Sequence, residues 1–252
     1  MMSPRDRSSG IASLLVKDVR PPWDGQEDAQ LERLLSDRTR ALSKGALLVM
    51  ESEASPARYL VRSGWLAVAK SLPDGERQIV EFILPGESYD PTAADGQTSF
   101  VELEALCDSN VAVIDTTTWS RLMKDLPDLR RCESQLAKAA WARQAERMLR
   151  LGKSDAETRV AYALIELCMR MTAIGATEDG AFHVPLSQQQ LGEFTGLSSV
   201  HVCRTLRRLN RQGLITTEDH MDINIHDLYA LADLAEVDLT MLRRDIIPGA
   251  AA

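Results

Sequence analysis

The sequence predicts an α+β protein: an antiparallel β-rich N-terminal half, one long helix, and a C-terminal winged helix-turn-helix. Three observations predict this. From Gly45 to Ile114 short β-type runs alternate with turn signals. After Pro127 no glycine or proline interrupts the chain until Gly152. Residues 187–213, SQQQLGEFTGLSSVHVCRTLRRLNRQG, hold two helix starts on either side of a glycine. A change from short, turn-bounded runs to 3.6-residue periodicity separates a sheet domain from helical elements.

Residues 1–22 read as a flexible arm ending in Pro21-Pro22, and 23–128 as one domain. Within it, residues 27–43 show helical spacing, with Leu31, Leu34, Leu35 and Leu42 on one side. The β-type runs Tyr59–Val61, Trp65–Val68 and Gln78–Leu84 follow, separated by Ser63-Gly64, Pro73-Asp74-Gly75 and Pro85-Gly86. Asp74-Gly75 suits a hairpin turn, because glycine takes positive φ without a Cβ clash. Many short strands so spaced predict an antiparallel sandwich or barrel.

Residues 129–152 form the long helix, carrying Leu129, Cys132, Leu136, Ala139, Ala140, Ala145, Met148 and Leu149. A lone helix of this length needs something to cover its apolar side. An intramolecular core helix would satisfy that need; its position between two domains favours a dimer seam instead, with Leu136 in it. Gly152 is expected to stop the helix. Ser154-Asp155-Ala156-Glu157 then has capping-box form and starts another helix, running to about Ala173.

In the region 153–252 the decisive stretch is 187–213. Ser187 and Gln190 form a second capping box, so a helix starts at Gln188 and runs to Thr195. Gly196 makes the turn, Ser198 or Ser199 caps the next helix, and Gly213 ends it. Gly192 lets the two helices approach. Leu191, Leu197, Val202, Leu206 and Leu209 face inward. Leu214–Thr217 and Asp222–Ile225 flank a polar turn and make the wing. The exposed set, Gln188, Gln189, Ser198, Ser199, Val200, His201, Arg204, Arg207 and Arg208, is the candidate DNA-contacting surface. Arginine suits phosphates and guanine edges because its planar fork donates in pairs. The plainer alternative is a helical hairpin with a solvated arginine face; the agreement of caps, turn, apolar spacing and wing favours the DNA-binding motif.

Net charge is −8, yet 197–213 holds four arginines and no acid. An acidic chain with one basic helix can still bind DNA there, and its acidic remainder discourages binding elsewhere. The four cysteines form no CxxC pair and no metal site is expected. No membrane-length apolar run and no signal-peptide core occur, so a cytoplasmic protein is expected. Neither a nucleophile elbow, a zinc-binding HExxH, a phosphate-cradling loop nor a dinucleotide fingerprint is present, so no catalytic residues are assigned and an enzyme is not expected.

These features resemble the CRP/FNR family of bacterial transcription regulators over nearly the whole chain. Gly64-Trp65-Leu66 and LPDGERQIVEFILPGE (72–87) are similar to that family's cyclic-nucleotide-binding-type β-roll. Residues 119–151 resemble its long dimer helix, and 154–226 its winged helix. The most specific stretches, PLSQQQL (185–191) and LSSVHVCRTL (197–206), resemble members linked to nitrogen-fixation regulation in α-proteobacteria. The resemblance implies a β-roll sensor domain over 23–128, a dimerisation helix over 129–152 and a DNA-binding domain over 153–252. It also implies a homodimer on a pseudo-palindromic operator, with double-stranded DNA and RNA polymerase as partners.

The departures matter. Ser99 and Phe100 stand where cyclic-AMP-binding members carry the Arg-Ser pair for the phosphate, and the preceding Gly-Glu is missing from 89–94. A buried phosphodiester needs that guanidinium, so cyclic AMP is not expected as effector. Gly86, Glu87, Ser99 and Phe100 are taken as the candidate effector pocket; the effector stays open and no cofactor is assigned. Cys107 is the one cysteine before residue 128 and all four histidines are C-terminal, which excludes an iron–sulfur cluster or histidine-ligated haem in the roll. In the second helix Ser199, Val200 and Arg204 align with the base-reading positions. Arg204 suits guanine, and Val200 a thymine methyl. Cys203, next to Arg204, is either a small spacer or a redox thiol activated by nearby arginines. The rival to DNA binding is a ligand-sensing signalling module whose C-terminal helices hold a protein partner.

Overall fold

The computed structural model describes residues 25–177, 180–218 and 221–249; the expected arm over 1–22 lies outside the described residues. Helix α1 (Gly25–Ser36) is the first element of the described residues and buries Leu31 and Leu35. It is shorter than the expected 27–43. The Thr39 hydroxyl donates to the Leu35 carbonyl at 2.8 Å, and Thr39–Leu42 departs as strand β1. Leu42 therefore packs inside the sheet domain instead of extending the helix's leucine face.

Strands β1 (Thr39–Leu42), β2 (Leu47–Val49), β3 (Ala57–Ser63), β4 (Leu66–Ser71), β5 (Arg77–Ile83), β6 (Ser88–Tyr89), β7 (Glu102–Ala105) and β8 (Ser109–Asp115) form two antiparallel sheets, ordered β1-β8-β3-β6 and β2-β7-β4-β5. Val49, Val61, Leu66, Val68, Leu103 and Val111 fill the space between them. Alternate residues Leu60, Ala67, Ala69, Ile79 and Phe82 face outward into a second core shared with the helices. That is why β4 is buried on both faces over Leu66–Ala69 and lacks an amphipathic alternation. The β4–β5 hairpin turns at Gly75 (φ +91°) with Ser71 opposite Arg77, as the Asp-Gly pair predicts.

Helix α2 (Thr116–Asp125) starts on Asp115, whose carboxylate accepts the Thr118 N–H at 2.8 Å. Helix α3 (Pro127–Lys153) follows after one residue, with Pro127 in its first turn, where no N–H is missed. It runs past the expected stop at Gly152. Its buried face is Leu129, Cys132, Leu136, Ala139, Arg143, Arg147 and Arg150; Trp141, Met148 and Leu149 are exposed on the other side. Leu136 thus packs within the protomer, a correction to its expected place in a seam. Helix α4 (Ala156–Ala173) is capped by Asp155, which accepts the Thr158 N–H at 2.9 Å. Ser154 instead closes α3, so the cap falls one residue after the expected Ser154.

The C-terminal part adds β9 (Ala181–His183), α5 (Gln188–Thr195), α6 (Ser199–Arg211), β10 (Ile215–Glu218), β11 (Asp222–Ile225), α7 (Leu228–Leu234) and α8 (Leu239–Ile246). The wing sheet has the order β10-β11-β9. Helix α8 returns to α3, burying Ile246, whose carbonyl accepts from Arg143 at 3.4 Å. No helix among the described residues is long and apolar enough to cross a membrane.

Candidate nucleic-acid interface

Local chemistry builds the helix-turn-helix as the sequence reads. The Ser187 hydroxyl accepts the Gln190 N–H at 3.1 Å, and the Gln190 side chain accepts the Ser187 N–H at 2.8 Å, a complete capping box at the start of α5. Gly196 ends α5 in the left-handed region (φ +67°). Ser198 caps α6 by accepting the His201 N–H at 3.3 Å. At Gly192 a Cβ would lie 2.4 Å from the Leu197 carbonyl oxygen, so only glycine allows the chain to fold back this tightly. Leu191, Val202, Leu206 and Leu209 are buried beneath the motif and Leu197 half-buried, as the spacing predicts.

The nine candidate contact residues, Gln188, Gln189, Ser198, Ser199, Val200, His201, Arg204, Arg207 and Arg208, are all exposed. Gln188, Arg204 and Arg207 share a concavity of about 640 Å³ between α5, α6 and the wing. The Arg204 and Arg207 side chains have no hydrogen-bond or ion-pair partner among the described residues. Arg208 is held: it lies 2.6 Å from the Glu157 carboxylate, which also accepts from Gln212 at 3.2 Å. Glu157, expected in a capping box, is thus an anchor for α6. Asn210, Arg211 and Thr217 border the same concavity. The sequence alone gives no signal for Asn210 and Thr217 as contact residues, because their place depends on where the wing folds.

Cys203 is half-buried on the rim of this concavity. Cys132 and Cys168 are buried in the core, where burial pushes the first thiol up to about 12 and also raises the second. They are poor thiolates.

The structure does not gather the candidate effector residues into one pocket. Gly86 forms the turn after β5, with its N–H on the Val61 carbonyl, and Glu87 is buried against Arg170 at 2.7 Å. Glu87 borders a cavity of about 540 Å³ between the sheet domain and α3. Phe100 borders a separate cavity of about 460 Å³ beside Gln78, Met148 and Leu151. Ser99 is buried, its hydroxyl donating to the Val101 carbonyl at 2.6 Å. The larger cavity carries Glu81, Glu87, Asp90 and Glu133 against Arg58 and Arg143. Burial raises the Glu133 carboxyl, partly offset by Arg58 at 3.3 Å and the Ser88 hydroxyl. Arg58 is further occupied over the Trp119 ring at 4.8 Å. No cluster of His, Cys, Asp and Glu suited to a metal occurs among the described residues.

Comparison with known proteins agrees with this arrangement. A Crp-like helix-turn-helix domain model matches residues 158–234, and a cyclic nucleotide-binding domain model matches 39–125. The transcriptional activator protein anr of Pseudomonas aeruginosa is 31% identical over 198 residues, spanning 79% of this chain and 80% of the relative. The nitrogen fixation regulation protein FixK of Bradyrhizobium diazoefficiens is 27% identical over 94% of this chain and 95% of its own. The solved structure of FixK2 from Bradyrhizobium japonicum superposes with a TM-score of 0.69 at 25% identity, covering 79% of this chain and 98% of that one.

Proposed function

Because the chain belongs to the CRP/FNR family of transcription regulators, with a helix-turn-helix DNA-binding domain and no enzyme among the relatives above, we propose that it reads a pseudo-palindromic operator as a homodimer. One observation carries the DNA reading: α6 holds four arginines and no acid, and two of the four, Arg204 and Arg207, are exposed and uncommitted. In this reading Arg204 contacts a guanine, Val200 a thymine methyl, and Arg207 a phosphate. Ser198, Ser199, His201, Gln188 and Gln189 complete the contact surface, and Arg208 contributes less because Glu157 already neutralises it.

The dimer half of the reading is supported by α3, whose exposed face carries Trp141, Ala145, Met148 and Leu149 with no covering element among the described residues. Large apolar side chains in a row on one helix mark a surface that another chain covers. Two-fold symmetry then sets the recognition helices about 34–36 Å apart, one DNA turn. Such a protein acts in the cytoplasm, with RNA polymerase as a further partner. Cyclic AMP is not its effector. Neither guanidinium of the larger cavity is free for a phosphate, and four carboxylates surround that space.

The test is duplex binding measured across a salt series. Arg204→Ala should cost about 1–3 kcal/mol on the preferred site and relax specificity at one position per half-site. Arg207→Ala should weaken all sequences alike and lower the salt slope by about one unit per arginine. Equal losses on specific and random DNA for Arg204→Ala would contradict its base-reading role.

A further inference from the structure

Six charged side chains are buried where three parts of the molecule meet, and none of them lies on the DNA-reading surface. Glu81 comes from β5 and Glu87 from the turn before β6. Arg143 and Arg147 come from α3, and Glu166 and Arg170 from α4. Glu81 is the centre. Its carboxylate lies 2.8 Å from Arg147 Nη2, 2.9 Å from Arg170 Nη1 and 3.3 Å from Arg143 Nε. Arg170 also donates to Glu87 at 2.7 Å and to the Phe82 carbonyl at 2.6 Å, and reaches Glu166 at 3.4 Å. Three carboxylates therefore face three guanidiniums in a set of zero net charge. Burial pushes the Glu81 carboxyl up, yet the three guanidiniums outweigh it and hold it well below the usual carboxylate range. Separating such a set strands buried charge, which costs far more than parting an exposed pair.

A second group of contacts joins the same strand to the reader itself. Phe194 of α5 packs on Phe82 of β5, with ring centroids 4.5 Å apart, and its carbonyl accepts from Gln78 at 3.2 Å. Arg77, at the start of β5, pairs with Glu102 and Glu104 of β7 and with Glu193 of α5 at 2.7 Å. Arg147 lies over the Phe194 ring at 4.8 Å. Strand β5 thus grips α3, α4 and α5 together.

We propose that Glu81 and Arg170 are positioning residues for DNA reading: with its partners, the pair fixes the helix-turn-helix at one angle to α3. The proposal rests on the dimeric DNA reading above. Its regulatory content is that the sensor domain acts as a permanent clamp. Swinging α4 away would leave Glu81 and Glu87 without Arg170, and Arg147 without Glu166.

The test uses full-length protein purified without ligand. Duplexes carry two half-sites at a series of centre-to-centre spacings. Wild type should prefer spacing matched to one DNA turn by about tenfold or more. Arg170→Met, which keeps length and removes charge, should flatten that preference while binding to a single half-site stays within about twofold. An unchanged spacing profile, with or without a uniform loss of affinity, would overturn the proposal. A second measurement leaves the cluster itself unaltered: the distance distribution within one protomer between labels introduced at the exposed positions Arg40 on β1 and Asp233 on α7, which packs on α4. One narrow distance, retained when DNA is added, is expected. A broad or multiple distribution that narrows only with DNA or an added small molecule would overturn the proposal. If wild type binds no duplex, the operator reading fails, and the label distance still decides whether the clamp exists.

Discussion

Replacing Met148 by Asp separates the two faces of α3. Met148 is 67% exposed in the protomer. Fully burying a methionine side chain is worth about 1.5–3 kcal/mol, so covering the exposed two-thirds contributes roughly 1–2 kcal/mol per copy. An isologous interface contains the residue twice, giving about 2–4 kcal/mol per dimer. At 1.4 kcal/mol per factor of ten, loss of that burial alone should weaken dimerisation roughly 30- to 700-fold, and the buried carboxylates would add to it. Sedimentation over a dilution series reads the dissociation constant directly, and a thermal melt monitors the protomer's fold. Wild type should sediment as a dimer at micromolar concentration; Met148→Asp should dissociate there while remaining folded. Leu136→Asp supplies the contrast. Leu136 is 8% exposed and packs in the protomer core, so that change should unfold the chain rather than merely part the dimer; truncating a buried leucine to alanine already costs about 2–5 kcal/mol. A Met148→Asp protein with an unaltered dimer dissociation constant would refute the assignment of this face as the seam.

Other outcomes follow from the same geometry. Gly192→Val forces the turn of the helix-turn-helix open against the Leu197 carbonyl; at about 1–3 kcal/mol of overpacking it should abolish operator binding while sedimentation still shows the dimer, and full-strength binding would show that the close approach is dispensable. Calorimetry with cyclic AMP and cyclic GMP should give no heat of binding near micromolar concentration, and a tight stoichiometric isotherm would overturn the argument from Ser99, Phe100 and the carboxylate-lined cavity. For Cys203, mild peroxide should weaken DNA binding by wild type and not by Cys203→Ser, since a sulfenate or sulfinate there would face DNA phosphates; equal response of both proteins, or none, would leave Cys203 a spacer.

The parts of this molecule legible in its sequence are those set by local chemistry. The capping box at Ser187, the turn at Gly196 and the close approach at Gly192 each follow from a residue type at a fixed offset. Hidden features depend on tertiary context. Arginine is normally a surface residue, so a helix burying Arg143, Arg147 and Arg150 while exposing Trp141 and Met148 reads with its faces exchanged. Glu81, Glu87 and Glu166, distant in sequence, make the burial of Arg143 and Arg147 tolerable, while Glu146 and the Tyr162 ring do so for Arg150. Thr39–Leu42 looked helical because its leucine continued a spacing, but β8 offered it a ladder. The candidate effector residues failed to converge because Glu87 is drawn into the charge cluster by Arg170. Strand β9 and helices α7 and α8 are short, at three, seven and eight residues.

Selection of bound sequences from a random duplex pool tests the central claim most directly. A protein that reads DNA through two symmetry-related α6 helices should enrich inverted half-sites centred one DNA turn apart, each with a guanine whose enrichment disappears in Arg204→Ala. A pool that emerges without enrichment, or enriched for a single asymmetric site, would contradict it.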